Sequence, residues 1–382
     1  MANNNNTKNL NVPTLRFPEF TGEWKLVQLS QIADFVGGGT PSSSNASFWN
    51  GSIPWISSSD IKDGNIYDIS ITRFITKEAI DKSTTKLCPA PVILLVSRVG
   101  VGKVALSNKK LCTSQDFCNL INIKCNPNFL AYDLVRTMKQ KSREAQGTSI
   151  KGVTSYEIQK IRFWLPEKKK EQDKIATFLS LLDHRIATQN KIIEDLKKLK
   201  SAISERLFKS VKGSTVLLSD LCDIVKGKQI NGENLSDSGN YYVMNGGTEP
   251  SGYYDNYNVE ASTISISEGG NSCGYVQFNT SPFWSGGHCY SIQNIADKVD
   301  NMYLYHYLKS NEDAIMKLRI GSGLPNIQKK DLAMFKIIVP KIEWQIKIST
   351  FLSSLERKAE IEERIQNVMQ KQKLYLLQQM FI

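Results

Sequence analysis

The feature that most constrains this chain is an internal repeat: three stretches of its first half recur, in the same order, in its second half. LSQIADFVGGG (29–39) faces LSDLCDIVKGK (218–228), with Leu29, Ser30, Asp34, Val36 and Gly38 against Leu218, Ser219, Asp223, Val225 and Gly227, an offset of 189. GTSIKGVTSYEIQKIRFWLP (147–166) faces GSGLPNIQKKDLAMFKIIVP (321–340) at an offset of 174. EQDKIATFLSLLD (171–183) faces EWQIKISTFLSSLE (343–356) at 173, and that offset still holds where Leu207 and Phe208 face Met380 and Phe381. A chain that uses one plan twice folds as two tandem units. The fall from 189 to 173 puts about 16 extra residues in loops of the first unit, while the helix closing each unit keeps its length.

Those helices show in the spacing. Positions 175, 179, 182, 186, 189, 193, 196, 200, 203 and 207 step by four and three and carry apolar residues except at Gln189 and Lys200. The second copy runs Ile348, Leu352, Leu355, Ala359, Glu362, Gln366, Met369, Lys373, Leu376 and Met380. A seam sustained this far is the mark of a coiled coil, and polar residues at matching heights fix its register. The expected fold is therefore α+β: two tandem α/β domains, each followed by a long α-helix, the helices pairing as an antiparallel coiled coil with pseudo-two-fold symmetry. The boundaries read as an N-terminal segment 1–20, a first domain 21–167, a helix 168–212, a second domain 213–340 and a closing helix 341–382.

The formal net charge of +11 suits a polyanionic partner. Seven cysteines without a CxxC pair argue against a disulfide framework or a zinc ribbon and for a reduced cytoplasm. No apolar run reaches the length of a membrane span; PVILLVS (91–97) reads as a buried strand.

Catalytic and metal motifs are sought without success. SRVGVGKVA (97–105) holds a G-x-G-x-x-A pattern, but KVALSNKK (103–110) reads as a second strand, so a hairpin turn is preferred to a dinucleotide loop. His184, His288 and His306 form no metal-ligand spacing, and neither an Asn-Pro-Pro-aromatic methyltransferase signature nor a nuclease signature occurs. No catalytic residue, no metal and no cofactor of its own is expected.

Nucleic-acid contacts are expected in the loops, where hydroxyls and amides reach phosphates and base edges and cations suit guanine. In the first unit these are Thr40, Ser42, Ser58, Ser59, Arg98, Lys103, Lys109 and Lys151; in the second, Lys226, Lys228, Asn245, Tyr253, His288, Arg319 and Lys329. The start of each seam, Ile175, Leu179, Leu182, Ile186, Ile348, Leu352 and Leu355, is assigned to partner binding.

VPTLRFPEFTGEWK (12–25), GGGTPS (37–42), IPWISSSDI (53–61), the block ending at Pro166 and the doubled EQDKIATFLSLLD helix resemble the specificity subunits of type I restriction-modification systems, HsdS. The second unit replaces GGGTPS by VKGKQINGE (225–233), so roles of Thr40, Pro41 and Ser42 do not carry across. The resemblance implies two target-recognition domains, each reading half of a bipartite site in double-stranded DNA. It implies helices that set the spacer and dock two modification subunits (HsdM), with two restriction subunits (HsdR) completing the complex. S-adenosylmethionine, ATP and Mg would sit on those partners. A stand-alone two-domain DNA-binding regulator and an enzyme with a disguised methyltransferase site are the competing readings.

Overall fold

The computed structural model describes residues 11–145, 152–321, 323 and 325–382. The chain divides into two compact units, Met1–Asn190 with Ile365–Ile382, and Lys191–Arg364. The first carries strands β1 (Lys25–Gln28), β2 (Asp34–Gly37), β3 (Ile53–Ile56), β4 (Phe74–Ile75), β5 (Val92–Val96), β6 (Val104–Ser107), β7 (Cys112–Thr113), β8 (Phe117–Ile121) and β9 (Arg162–Leu165). Its helices are α1 (Leu29–Ile32), α2 (Lys77–Asp81), α3 (Pro127–Ala145) and α4 (Ser155–Gln159), followed by the start of α5 (Lys169–Ser210). The second unit carries β10 (Ser214–Leu217), β11 (Asp223–Lys226), β12 (Tyr241–Met244), β13 (Tyr253–Tyr254), β14 (Thr263–Ser267), β15 (Val276–Asn279), β16 (Trp284–Ser285), β17 (Cys289–Gln293) and β18 (Lys336–Val339). Helices α6 (Asn301–Ser310), α7 (Glu312–Met316) and α8 (Lys329–Ala333) precede α9 (Ile342–Gln379).

Strand for strand, the two units share one plan. The sheets of the first run β2-β8-β5-β6, β4-β3-β7 and β1-β9; those of the second run β11-β17-β14-β15, β13-β12-β16 and β10-β18. Register repeats too: Ile93 faces Leu120 and Leu106, as Ile264 faces Ile292 and Phe278. The extra length of the first unit falls between β3 and β5, where residues 57–91 correspond to 245–262, and α2 lies in that insertion.

Burial explains the composition of the central strand. Successive side chains leave a strand on opposite faces. On β5, Ile93 and Leu95 meet the core built with Phe129, Leu130 and Tyr132 of α3, while Val92, Leu94 and Val96 meet Ile56 and Leu111. With both faces covered, the strand has no polar side, which is why VILLV does not alternate. On β14 the second face is small and polar instead: Thr263, Ser265 and Ser267 are buried, and Asn279 donates to Ser265 Oγ at 2.9 Å.

The N-terminal block docks on α5 through one acid. Glu171 is buried and accepts from Arg16 Nε at 2.7 Å and from Trp24 Nε1 at 3.1 Å. Its counterpart in the second unit is Trp344, so this anchor is not repeated.

Within each unit a stretch of α5 meets a stretch of α9, and the polar interruptions of the seams are the meeting points. In the first unit the Lys373 ammonium reaches the carboxylate of Asp183 and the carbonyl of Gly64, and Tyr132 donates to Asp183 at 2.8 Å. In the second, Lys200 meets Glu356 at 2.7 Å, and Tyr305 donates to Glu356 at 3.1 Å. Lysine, acid and tyrosine are each 173 positions apart, so this is one triad made twice. The first is buried, with Lys373 and Asp183 side chains 7% and 1% exposed, and burial pushes the Asp183 carboxyl up against the pull of Lys373.

The helices packed beside the triads carry a second pair of equivalent residues with opposite acid–base character. His306 on α6 is buried against Ser353, at 2.9 Å, and burial pushes it down to about 4. Asp133 on α3 is pushed up to about 6 by burial, which outweighs Arg136.

Removing one partner of a buried pair strands the other charge, at a cost of about 3–5 kcal/mol, whereas a half-exposed pair contributes up to about 1 kcal/mol. Urea unfolding should therefore show Lys373→Ala destabilised by about 3–5 kcal/mol and Lys200→Ala by about 1 kcal/mol; equal losses would contradict the unequal burial.

The pH dependence has two opposed parts. Below its ordinary 6.5 the unfolded chain protonates His306 while the folded one resists down to about 4, so stability falls as pH drops through that window. Asp133 holds its proton from about 6 down to the ordinary 3.8 only when folded, so its contribution grows over that range as pH falls. His306→Gln should recover on the order of 2 kcal/mol at pH 5 relative to pH 8, and Asp133→Asn should steepen the acid loss, both read from urea midpoints.

Candidate nucleic-acid interface

Four loops converge in each unit. In the first they follow β2 (38–42), β3 (57–60) and β5 (97–103), and precede β8 (114–116). Backbone bonds fasten them: Gly39 N–H to Thr113 O, Ser114 N–H to Ile56 O and Ser97 N–H to Asp116 O, each 2.8 Å. The second unit repeats the ties: Gly286 N–H to Met244 O at 2.8 Å and Glu268 N–H to His288 O at 2.9 Å. A tryptophan indole closes each set, Trp55 donating to Gly39 O at 2.9 Å and Trp284 to Lys228 O at 3.0 Å. The two indoles come from different strands, β3 and β16, and reach equivalent carbonyls.

This crowding explains a glycine common to both copies of the repeat. A Cβ on Gly38 would lie 1.9 Å from Ser114 O, and one on Gly227 would lie 2.2 Å from Gly286 O. Neither neighbour can move away, being backbone.

On this framework the first unit brings together Ser58 and Lys103, whose Nζ donates to Ser58 O at 3.1 Å, while Thr40 donates to Gln115. Ser42, Ser59 and Arg98 are exposed on the same loops. Lys109 follows the far end of β6, away from the loop that holds Lys103. Lys151 lies outside the described residues. One cation escaped the reading of the sequence: Arg73 lies 4.6 Å over the Trp55 ring and bonds Asp60 and Ser57. It sits in ISITRFIT, where alternation suggests a strand and gives no loop signal.

In the second unit Lys226, Asn245 and His288 come together around an unforeseen residue, Glu268. Lys226 Nζ is 2.6 Å from Glu268 Oε1, His288 Nδ1 is 3.8 Å from Oε2, and His288 N–H donates to Asn245 Oδ1 at 3.1 Å. Lys228 is exposed on the loop after β11. Ile327 N–H donates to Glu268 O at 2.8 Å, fastening the segment just before Lys329, which opens α8. Arg319 follows α7, its charge felt at Cys273 in the loop after β14. Tyr253 is half-buried on β13, paired with Tyr242.

The residues assigned to partner binding need correction. Ile175, Leu179 and Ile186 are buried in the first unit, Ile348 and Leu352 in the second. The most regular apolar stripe of a long helix is the one its own chain covers first, so these residues are spent internally. Apolar side chains that do reach the surface sit elsewhere on the helices: Leu181 and Leu199 on α5, Trp344, Phe351, Val368 and Tyr375 on α9. Leu182, for its part, is half-buried, as is Leu355.

The glycine-rich turn 97–103 links antiparallel β5 and β6, with Gly100 and Gly102 at positive φ, and opens a strand where a dinucleotide loop would open a helix. Among the described residues, no group of three or more His, Cys, Asp or Glu is placed to hold a metal ion, and no helix is long and apolar enough to cross a membrane.

Residues 21–198 and 212–371 each match the family model described as Type I restriction modification DNA specificity domain. The chain is 34% identical over 184 residues to the type I restriction enzyme MjaIX specificity subunit of Methanocaldococcus jannaschii, a match spanning 46% of this chain and 42% of that one. It is 23% identical over 399 residues to the putative type I restriction enzyme MjaX specificity subunit of the same organism, spanning 93% and 92%. The chain thus spans less than half of the first of these relatives and nearly all of the second. Among solved structures, the type I restriction-modification S subunit of M. genitalium superposes with a TM-score of 0.65 at 19% identity, over 97% of this chain and 99% of that one, a likeness of fold.

Gly38→Ala and Gly227→Ala should each destabilise their unit by about 1–3 kcal/mol, the range for overpacking, in thermal melts followed by circular dichroism. Gly64→Ala, whose added Cβ meets nothing within 4 Å but whose φ is +93°, serves as the control for backbone strain alone.

Proposed function

The chain belongs to the type I restriction modification DNA specificity family, and from that we propose that it is the DNA-reading subunit of a type I restriction-modification complex. Each unit reads one half of a bipartite duplex site. The observation that carries this reading is the pair of four-loop clusters: one backbone framework, made twice, presenting different side chains. Gly37, Ser57, Ser97 and Asp116 of the first unit stand where the second has Lys226, Asn245, Glu268 and His288. A scaffold repeated under divergent loops is what two different half-sites require.

The chain carries no chemistry of its own. Two modification subunits supply adenine methylation with S-adenosylmethionine, and two restriction subunits supply ATP- and Mg-dependent translocation and cleavage, in the cytoplasm. We assign the helices two tasks. They pair as an antiparallel coiled coil, a reading supported within the first unit by Asp183 with Lys373 and Asn190 with Gln366, and within the second by Lys197 with Glu363 and Lys200 with Glu356. Their length sets the spacer, and their outward apolar residues dock the modification subunits, with Leu181 and Trp344 (65% and 59% exposed) the leading anchors.

The test is co-expression with the modification subunit of the same system, followed by single-molecule sequencing of methylated DNA. A bipartite methylated motif is expected; tight sequence-specific binding by the chain alone, with no complex formed, would favour a stand-alone regulator. Leu181→Glu and Trp344→Glu should leave the melting temperature nearly unchanged and lower co-purification of modification subunits by about tenfold or more. Removing one heptad from each of α5 and α9 should shorten the spacer and leave both half-sites as they were.

A further inference from the structure

Resting on the reading of the chain as a DNA-specificity subunit, we propose that the second unit reads a guanine through a donor pair, Lys226 and His288, which Glu268 positions from beneath. Glu268 follows directly on β14, and its side chain is 9% exposed. Its Oε1 takes Lys226 Nζ at 2.6 Å and the Tyr290 hydroxyl at 3.1 Å. Its Oε2 is buried without a hydrogen-bond partner, 3.8 Å from His288 Nδ1. The two residues above it face outward, with Lys226 and His288 side chains 53% and 62% exposed.

The acceptor is sealed and the donors are offered. An ammonium carries three donors, of which Glu268 takes one, and the His288 ring adds an outward donor where Nε2 carries a proton. In the major groove, adenine and cytosine each display an amino group that needs an acceptor, while guanine displays two acceptors, N7 and O6, and no donor. Thymine displays one acceptor, O4, beside its methyl group, so Lys226, which only donates, fits the two acceptors of guanine best and has nothing to offer an amino group. Phosphate oxygens share the acceptor-only chemistry, so the test must separate base from backbone. In the first unit the corresponding positions hold Gly37, Ser97 and Asp116, with no cation among them, so this determinant belongs to one half-site only.

The experiment uses the full chain co-expressed with its modification subunit, with methylation preference read by single-molecule sequencing for the wild type, K226M, K226R, H288Q and E268Q. Absence of any methylated motif in the wild type overturns the underlying reading and is visible before any variant is compared. Given a motif, K226M and E268Q should lose on the order of tenfold to a hundredfold of the preference for guanine at one position of one half-site. K226R should keep it, H288Q should weaken it, and the other half-site should not change. Because Lys226 and His288 are exposed, K226M and H288Q decide the matter even where E268Q fails to fold. A uniform fall at every sequence, with a shallower salt dependence of DNA binding, assigns Lys226 to a phosphate and overturns the proposal. So does relaxation at a position that is not guanine.

Discussion

A lysine from the last helix, buried against an acid of the first long helix, closes the first unit of this protein. Lys373 reaches Asp183 inside a unit whose strands all lie far earlier in the sequence, and Leu377, Met380 and Phe381 follow it into the same core. A buried ammonium is tolerable only where a carboxylate and further acceptors meet it; here Gly64 O and Asp183 do so, and Tyr132 completes the carboxylate's bonds. The triad thus specifies which turn of one helix meets which turn of the other, because a slip of one turn would leave both charges alone in an apolar core. The second unit uses the same three kinds of group with more solvent around them, which makes the same selection at lower stakes.

On that frame the units separate what is constant from what varies. Constancy is in the backbone: sheet order, strand register, the glycine that no Cβ can replace, and the indole that caps the loop after the second strand of each unit. Variation is in what the loops hold up. In the first unit Arg73 lies over the Trp55 ring and is bonded by Asp60; in the second, a buried glutamate bonds a lysine and faces a histidine. In both, a carboxylate held by the framework bonds a cation of the loop cluster.

The surplus of positive charge acts at longer range. A net charge of +11 suits a polyanionic partner irrespective of sequence, while the helix lysines Lys197, Lys198 and Lys209 are paired with glutamates and add nothing to that surplus. On the proposed reading, discrimination is left to a small number of loop side chains, held at short distance by the buried groups beneath them.

Much of this was legible without coordinates. Repeats, long helices and the hairpin at Gly100 and Gly102 depend on local spacing, and spacing is visible in a string of letters; the observed helices begin and end close to the expected ones. The heptads also announced the right buried stripe and its pairing within the chain, but the start of each seam was assigned to a partner subunit as well: periodicity says that a face is covered and not by what, and Ile175, Leu179 and Leu352 are covered by their own chain. Arg73 and Glu268 were invisible for a related reason. Each gains its meaning from residues far along the chain, Arg73 from Trp55 and Asp60, Glu268 from Lys226 and Tyr290, and no local pattern encodes such meetings. Sequence alone therefore established a doubled architecture joined by helices, because those are short-range regularities; which side chains stand together in the loop clusters was settled by folding, which brings distant strand ends within hydrogen-bonding reach.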